Sequence, residues 1–128
     1  MTHKYHVAPA GERHWRGRTW DSKAEMQYAQ ILYLLHEQGD LRVIIEQPRV
    51  TLGVPENVYR ADFFVLPSES SGGRPEFIDV KGVETAAFRK IKKLWSSYGV
   101  LGLRIVKKQR GKFETVEIIQ GKELTSQP

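Results

Sequence analysis

The chain of 128 residues contains no cysteine, which excludes disulfides, thiolate zinc sites and cysteine nucleophiles. It also lacks any run of 18 apolar residues, so we expect no membrane-spanning helix. The N-terminal stretch MTHKYHVAPAGERHWRGR has no apolar centre of the kind found in signal peptides, which predicts an intracellular, cytoplasmic protein. With 40% hydrophobic and 27% charged residues, the chain is predicted to form one soluble domain around a single core.

Basic side chains outnumber acidic ones, with 20 Lys and Arg against 15 Asp and Glu and a net charge of +5. A basic domain suits a polyanionic partner, because bound phosphates release counterions and thereby supply affinity. On charge alone, two alternatives are equally open: the protein binds a nucleic acid, or it has no particular partner.

The clearest helix signal is the stretch DSKAEMQYAQILYLLHEQGD. Ser22 is the predicted N-cap, Glu25 completes a capping box three residues later, and Gly39 marks the end of the helix. Four apolar residues recur at helical spacing and are predicted to form the buried face: Tyr28, Ile31, Leu32 and Leu35.

A second helix is predicted over residues 84–99, with Phe88, Ile91, Trp95 and Tyr98 on one side. Stretches rich in β-branched and aromatic residues predict strands at 42–47, 49–52, 58–66, 76–82, 101–108 and 113–119. The predicted fold class is therefore α/β, with a central mixed sheet flanked by helices and a core order of α-β-β-β-α-β. The predicted organisation is a basic, irregular arm (1–20), one domain (21–120) and a flexible tail (121–128).

The strand FIDVKG carries an acid and a lysine in an otherwise apolar run. Asp79 and Lys81 share one face of it, because side chains alternate along a strand. If residues 62–66 pair antiparallel with 77–81, Asp62 lies opposite Asp79 or Lys81 on that face. Two carboxylates and an ammonium group then converge at one end of a hairpin.

This cluster has two interpretations. The first is a structural salt bridge at a sheet edge, which is the commoner role of an Asp-x-Lys tripeptide. The second is a Mg²⁺ site, since Mg²⁺ is usually held by one or two carboxylates, with a lysine placed to hold a phosphate oxygen or the attacking water. Asp62 in a second apolar strand favours the second interpretation, and so does Glu25 if it faces the sheet rather than serving only the capping box.

Glu25 in SKAE, Asp62 in ADFFV, and Asp79 with Lys81 in IDVKG together resemble the PD-(D/E)XK nuclease superfamily. Their order and spacing are similar to those of phage endonuclease I-type Holliday-junction resolvases and of small phage nucleases. The resemblance covers roughly residues 20–108 and implies a restriction-endonuclease-like core. The sequence departs from the pattern at Ala61, where a proline often precedes the first acid, and in having Asp79 where Glu is common.

The resemblance implies that Asp62 and Asp79 bind Mg²⁺, with Mn²⁺ able to substitute and the Val80 carbonyl as an additional ligand. Glu25 would help to hold a second metal ion or a metal-bound water, and Lys81 would orient or activate the attacking water. The implied activity is hydrolysis of DNA phosphodiester bonds in branched or junction DNA, in a bacterial or phage-infected cell. Two symmetrical cuts in a four-way junction further imply a homodimer.

Other residues are expected to support this site. Gln47, which ends a strand before Pro48, is a second-rank candidate near the cluster. Trp15 and Trp20 either stack on exposed bases or pack into the core beside the first helix. DNA contacts are predicted at the basic side chains of the arm and of the two helices: Arg13, Arg16, Arg18, Lys23, Arg89, Lys90, Lys92 and Lys93.

Three functions remain open at this point. A structure-selective, junction-resolving endonuclease is the leading hypothesis. A restriction-like, nicking or repair nuclease of the same fold is the second, and a non-catalytic basic DNA-binding protein is the third. The complete set of Glu25, Asp62, Asp79 and Lys81 argues against the third, because an inactive site has no reason to retain all four.

Overall fold

A computed structural model describes residues 7–122 of the chain. The first six residues of the predicted arm, and residues 123–128 of the predicted tail, lie outside the described residues. The described part has two α-helices, nine strands and two short 3₁₀ turns. None of its helices has the length and apolar character needed to cross a membrane.

The elements follow one another along the chain as β1 (His14–Trp15), β2 (Arg18–Thr19), α1 (Lys23–Glu37), β3 (Leu41–Glu46), β4 (Arg49–Thr51), β5 (Val58–Arg60), β6 (Phe63–Pro67), β7 (Glu76–Val80), α2 (Ala86–Tyr98), β8 (Gly102–Gln109) and β9 (Lys112–Ile119). Five strands form the central sheet in the order β3-β6-β7-β8-β9. Among the strands of residues 7–122, only β7 and β8 pair in parallel, and α2 connects them. The predicted α/β class with a mixed sheet is confirmed.

Helix α1 begins where its cap predicts, because the Ser22 Oγ accepts a hydrogen bond from the Glu25 backbone N–H at 3.0 Å. The predicted buried face is wrong at Ile31, which is 42% exposed. The side chains that α1 buries share only Leu32 with the predicted face: Glu25, Met26, Ala29 and Leu32.

The two faces of the sheet carry separate apolar clusters. Ile78 of β7 packs with Leu32 and Phe63 under α1, whereas its neighbour Phe77 packs against Trp95 of α2. This alternation follows from the period of two along a strand. Each helix therefore covers one face of the sheet, and the polar residues at the ends of β6 and β7 lie between the two clusters.

The predicted strand 58–66 is two strands, because the chain changes sheet in its middle. β5 pairs with β4 in a side hairpin, and β6 enters the central sheet. At the break, the Ala61 N–H donates to the Pro48 carbonyl at 3.0 Å, and the Asp62 N–H donates to the Ile78 carbonyl at 3.2 Å. Asp62 is thus the first residue that the central sheet holds.

Residues 10–20 are folded, and the prediction of an irregular arm is wrong for them. A 3₁₀ turn (Ala10–Arg13) leads into the β1–β2 hairpin, whose turn places Arg16 and Gly17 at positive φ. Trp20 is fully buried in the cluster under α1, so it cannot stack on a base. Strands of two residues are too short to show a period, which explains why the sequence pattern missed them.

Trp20→Ala should lower the free energy of unfolding by about 3–5 kcal/mol, because it empties a large buried site. Trp15→Ala, at a half-buried position of the same hairpin, is the matched control and should cost less. Urea unfolding of the two variants measures the difference. A Trp20→Ala protein as stable as the wild type would show that this segment does not belong to the core.

Candidate functional site

The carboxylates of Asp62 and Asp79 meet at the end of the β6–β7 hairpin. The register pairs Phe63 with Ile78 and Phe64 with Phe77, so the next pair outward is Asp62 and Asp79. The Asp62 N–H donates to the Asp79 Oδ1 at 3.0 Å, and the Val80 N–H donates to the Asp62 Oδ2 at 2.7 Å. Each acid is therefore held by a backbone amide of the opposite strand.

Asp79 is fully buried, and a tyrosine from the side hairpin completes its hydrogen bonding. The Tyr59 hydroxyl donates to the Asp79 Oδ2, while the Tyr59 ring packs between Phe88 and Trp95, at centroid distances of 6.3 and 6.5 Å. Both Asp79 oxygens thus accept hydrogen bonds from the protein. Asp79 fixes the position of three segments, namely β7, the start of β6, and β5.

Lys81 lies just past the end of β7, on the same face as Asp79. Its Nζ is 3.9 Å from the Asp79 Oδ2 and 4.3 Å from the centroid of the Phe88 ring. A separation of 3.9 Å is longer than a hydrogen bond, so the ammonium is attracted to Asp79 while its N–H donors stay available. The side chain keeps 29% of its surface exposed, which allows it to meet a ligand from solvent.

Glu25 approaches this cluster from α1. Its backbone N–H serves the Ser22 cap, but its side chain is only 3% exposed, and its Oε1 is buried with no hydrogen-bond partner. Burial raises the pKa of Glu25 to about 7, and the negative charges of Asp21 and Asp79 add to this rise against the opposing effect of Arg18 and Arg60. The capping role therefore uses the backbone and leaves the carboxylate facing inward.

The acids also act on one another electrostatically. Burial raises the pKa of Asp62 well above its ordinary value, and the charges of Asp79 and Glu25 raise it further. Burial likewise raises the pKa of Asp79, although Lys81 and the hydrogen bond from Tyr59 hold it down. Neighbouring buried carboxylates disfavour one another's ionisation, whereas a nearby cation would favour it.

The donor set is suited to a hard cation. Asp62 and Asp79 offer oxygens only, and Mg²⁺ is commonly held by one or two carboxylates with water and phosphate oxygens as its other ligands. Among residues 7–122, no three His, Cys, Asp or Glu side chains stand together as a set that could hold a metal ion. Asp62 and Asp79 thus offer at most a two-carboxylate site, and the Oε1 of Glu25 is a further buried oxygen without a partner.

Gln47 contacts the cluster mainly through its backbone. It has a positive φ of 53°, and its N–H donates to the Asp62 carbonyl at 2.9 Å. Its side-chain amide is 3.4 Å from the Asp21 Oδ2, to which Arg60 is equally close. A left-handed backbone costs about 1–3 kcal/mol in a residue other than glycine, so this conformation is maintained by its surroundings.

The predicted DNA contacts of the second helix divide into two groups. Arg89, Lys90 and Lys93 are exposed on α2. Lys92 instead lies between Glu84 at 2.5 Å and Glu117 at 2.9 Å, and the hydrogen bonds to these two acids raise its pKa. Its charge is therefore offset within the protein.

The predicted contacts of the arm make intramolecular contacts. Arg13 donates to the carbonyls of Ala8 and Trp20. Arg18 forms an ion pair with Glu46 at 2.7 Å, and the Arg16 guanidinium stacks 3.9 Å from the centroid of the Tyr33 ring. Lys23, the first residue of α1, is exposed, and its Nζ lies 3.5 Å from a Glu12 oxygen. A phosphate bound by Arg13 or Arg18 would share the guanidinium with contacts that hold the N-terminal hairpin.

The sequence interpretation missed Tyr59 and Asp21 as members of this neighbourhood. Tyr59 precedes Asp62 by three residues, but it belongs to a different sheet, so no strand periodicity connects it to Asp79. Asp21 precedes the cap of α1, and its side chain is 62% exposed. A sequence signal exists for Asp21 alone, as an acid beside a helix start.

The raised pKa of Glu25 predicts a pH dependence of stability. Because its folded-state pKa is about 7 against an ordinary value of 4.5, the folded protein binds the additional proton. The corresponding stability is fully present below pH 4.5, is lost as the pH rises through 7, and amounts to about 3 kcal/mol. Denaturant unfolding in EDTA from pH 4.5 to 8 measures it.

Glu25→Gln should remove this part of the pH dependence, whereas the exposed Glu37→Gln should leave it in place as a matched control. An unchanged pH dependence in Glu25→Gln would show that the Glu25 carboxyl is not the group that titrates.

Comparison with known proteins places the chain in a family. Residues 3–113 match the family model described as "Protein of unknown function (DUF1064)". No curated protein and no solved structure is significantly similar to the chain. Since the match extends over most of the sequence, including all four residues of the acid and lysine cluster, the protein belongs to the DUF1064 family.

Proposed function

We propose that the protein is a metal-dependent DNA endonuclease of the PD-(D/E)XK type. The observation that carries this proposal is the meeting of the buried Glu25 and Asp79 with the half-buried Asp62 at one end of the sheet beside Lys81, with one Glu25 oxygen lacking any partner. Burying carboxylates is costly unless each is paired and hydrogen-bonded. Lys81 lies 3.9 Å from Asp79 and offsets only one charge, so a structural salt bridge is an incomplete account.

The architecture is consistent with the restriction-endonuclease-like core that the resemblance implies. A helix bearing Glu25 precedes the β6–β7 hairpin, and α2 then leads to the parallel strand β8. Asp62 opens one strand of the hairpin and Asp79 lies near the end of the other, so the two acids meet at one edge of the sheet. This supports the fold assignment within the proposal.

Asp62 and Asp79 would hold Mg²⁺ or Mn²⁺, and the Val80 carbonyl is the proposed additional ligand. When bound, the cation would stabilise negative charge on the phosphoryl oxygens. The Glu25 carboxylate would help to hold a second metal ion or a metal-bound water, and its unpartnered Oε1 is the oxygen available for this. The Lys81 ammonium would donate to a phosphate oxygen or orient that water.

The proposed substrate is branched DNA, and a homodimer is the proposed assembly for paired cuts. Arg89, Lys90 and Lys93 on α2 are proposed to meet phosphates, because they are exposed and no ion pair engages them among the described residues. The alternatives are a nuclease acting on other DNA and a DNA-binding protein without catalysis.

Cleavage of a labelled four-way junction, a linear duplex and a single strand across a Mg²⁺ titration tests the proposal. Asp62→Asn and Asp79→Asn should abolish cleavage and the stabilisation by Mg²⁺ while preserving DNA binding, because the amide retains an acceptor but loses the charge. Asp40→Asn, at an exposed acid beyond the end of α1, is the matched control. Wild-type cleavage in both site variants would refute the metal-site assignment, and binding without cleavage in the wild type would favour the non-catalytic alternative.

Lys81→Ala should reduce the single-turnover rate by roughly 10²-fold or more with little change in DNA affinity, because its interaction strengthens with developing charge. Lys112→Ala, at an exposed lysine outside both the cluster and the proposed DNA contacts, is the control for loss of one ammonium. If Lys81 only neutralised Asp79, the variant would melt at a lower temperature yet cut normally at saturating Mg²⁺. Melting curves and cleavage rates over the same Mg²⁺ range separate the two roles.

A further inference from the structure

We infer that Lys107 binds a DNA backbone phosphate that flanks the one to be cleaved, on the side of the site away from Asp62. This inference rests on the proposed nuclease function and extends it to a residue outside the acid and lysine cluster.

The parallel pairing of β7 and β8 places Lys107 next to Lys81. Val80 pairs with Val106, and the Lys81 N–H donates to the Val106 carbonyl at 2.9 Å. The next residue of each strand is a lysine, and neighbouring strands lie about 4.8 Å apart. Because Ile105 is buried under α2, alternation puts Lys107 on that same face, which is also the face of Asp79 and Lys81.

Lys81 and Lys107 line one groove of about 170 Å³, which has Phe88 and Ile105 among its apolar walls. Lys92 also lines it, but its charge is offset by Glu84 and Glu117. Glu84 and Glu117 line the groove as well, so its three lysines outnumber its two acids. Within residues 7–122, Lys107 forms no ion pair with either of them.

Two ammonium groups on adjacent strands repel each other, and like charges at such positions destabilise a sheet. An anion with at least two charged groups would offset this repulsion. Lysine binds phosphate as a point charge, and a DNA strand supplies successive phosphates. Since the strands run in the order β6, β7, β8, a DNA strand that crosses this end of the sheet would meet Asp62, then Lys81, then Lys107.

A second role for Lys107, an ion pair with Glu114, has to be distinguished from DNA binding. Glu114 lies opposite it on β9, and the two side chains share a face without forming an ion pair in the structure. If Lys107 serves Glu114 in solution, its removal would lower stability. If it serves DNA, its removal would lower DNA affinity and leave stability unchanged.

The test compares Lys107→Gln with Lys108→Gln. Lys108 is the next residue along β8, lies on the opposite face and donates to the Gln27 Oε1 at 2.6 Å, so this pair of variants removes the same charge from the two faces. Binding of a labelled junction and a labelled duplex is measured in EDTA between 50 and 200 mM salt, alongside melting curves with and without Mg²⁺.

Lys107→Gln should weaken binding roughly tenfold, because a charge-assisted contact is lost. It should also reduce the slope of log K against log salt by about 1. Lys108→Gln should match the wild type, and neither variant should alter the melting temperature or its shift with Mg²⁺. Equal DNA affinities in the two variants would overturn the inference, and so would a lower melting temperature for Lys107→Gln with normal DNA affinity. In either case, cleavage by the wild type would leave the proposed function standing. A wild-type protein that neither binds nor cuts DNA would overturn both.

Discussion

The buried carboxylate of Asp79 is the group on which the site and much of the surrounding fold depend. It accepts hydrogen bonds from the Asp62 backbone and from the Tyr59 hydroxyl, and Lys81 provides the nearest positive charge. These contacts join the central sheet to a side hairpin that otherwise pairs only with itself. An ionised buried carboxylate requires such donors, so any change that removes them affects both the fold and the candidate site.

The remaining acids are less well satisfied than Asp79. Asp62 accepts one backbone hydrogen bond, and Glu25 keeps one buried oxygen without a partner. Polar groups left without hydrogen-bond partners in this way are typical of functional sites, which is why the cluster is the candidate site of this protein. The pKa values of both groups are raised because little positive charge offsets the buried carboxylates. A bound cation would lower these pKa values, whereas a phosphate-bearing ligand would raise them.

The chain positions these acids by changing sheet. Between β5 and β6 it leaves the side hairpin, and Asp62 occupies the first position held by the central sheet. Gln47, at a similar exit from β3, hydrogen-bonds to the Asp62 carbonyl through its own backbone. Irregular backbone at the ends of strands therefore surrounds the carboxylates, and the regular parts of the sheet provide a rigid base below them.

Local order was readable from the sequence, because its causes are local. The Ser22 cap predicted the start of α1, and strand alternation placed Asp79 and Lys81 on one face with Asp62 opposite. The tertiary structure alone decided that Tyr59 reaches Asp79 and that Trp20 is buried. It also decided that Lys92 is neutralised by two glutamates. These outcomes depend on contacts between segments that are distant in sequence or too short to show a period, and such contacts exist only once the helices have packed on the sheet.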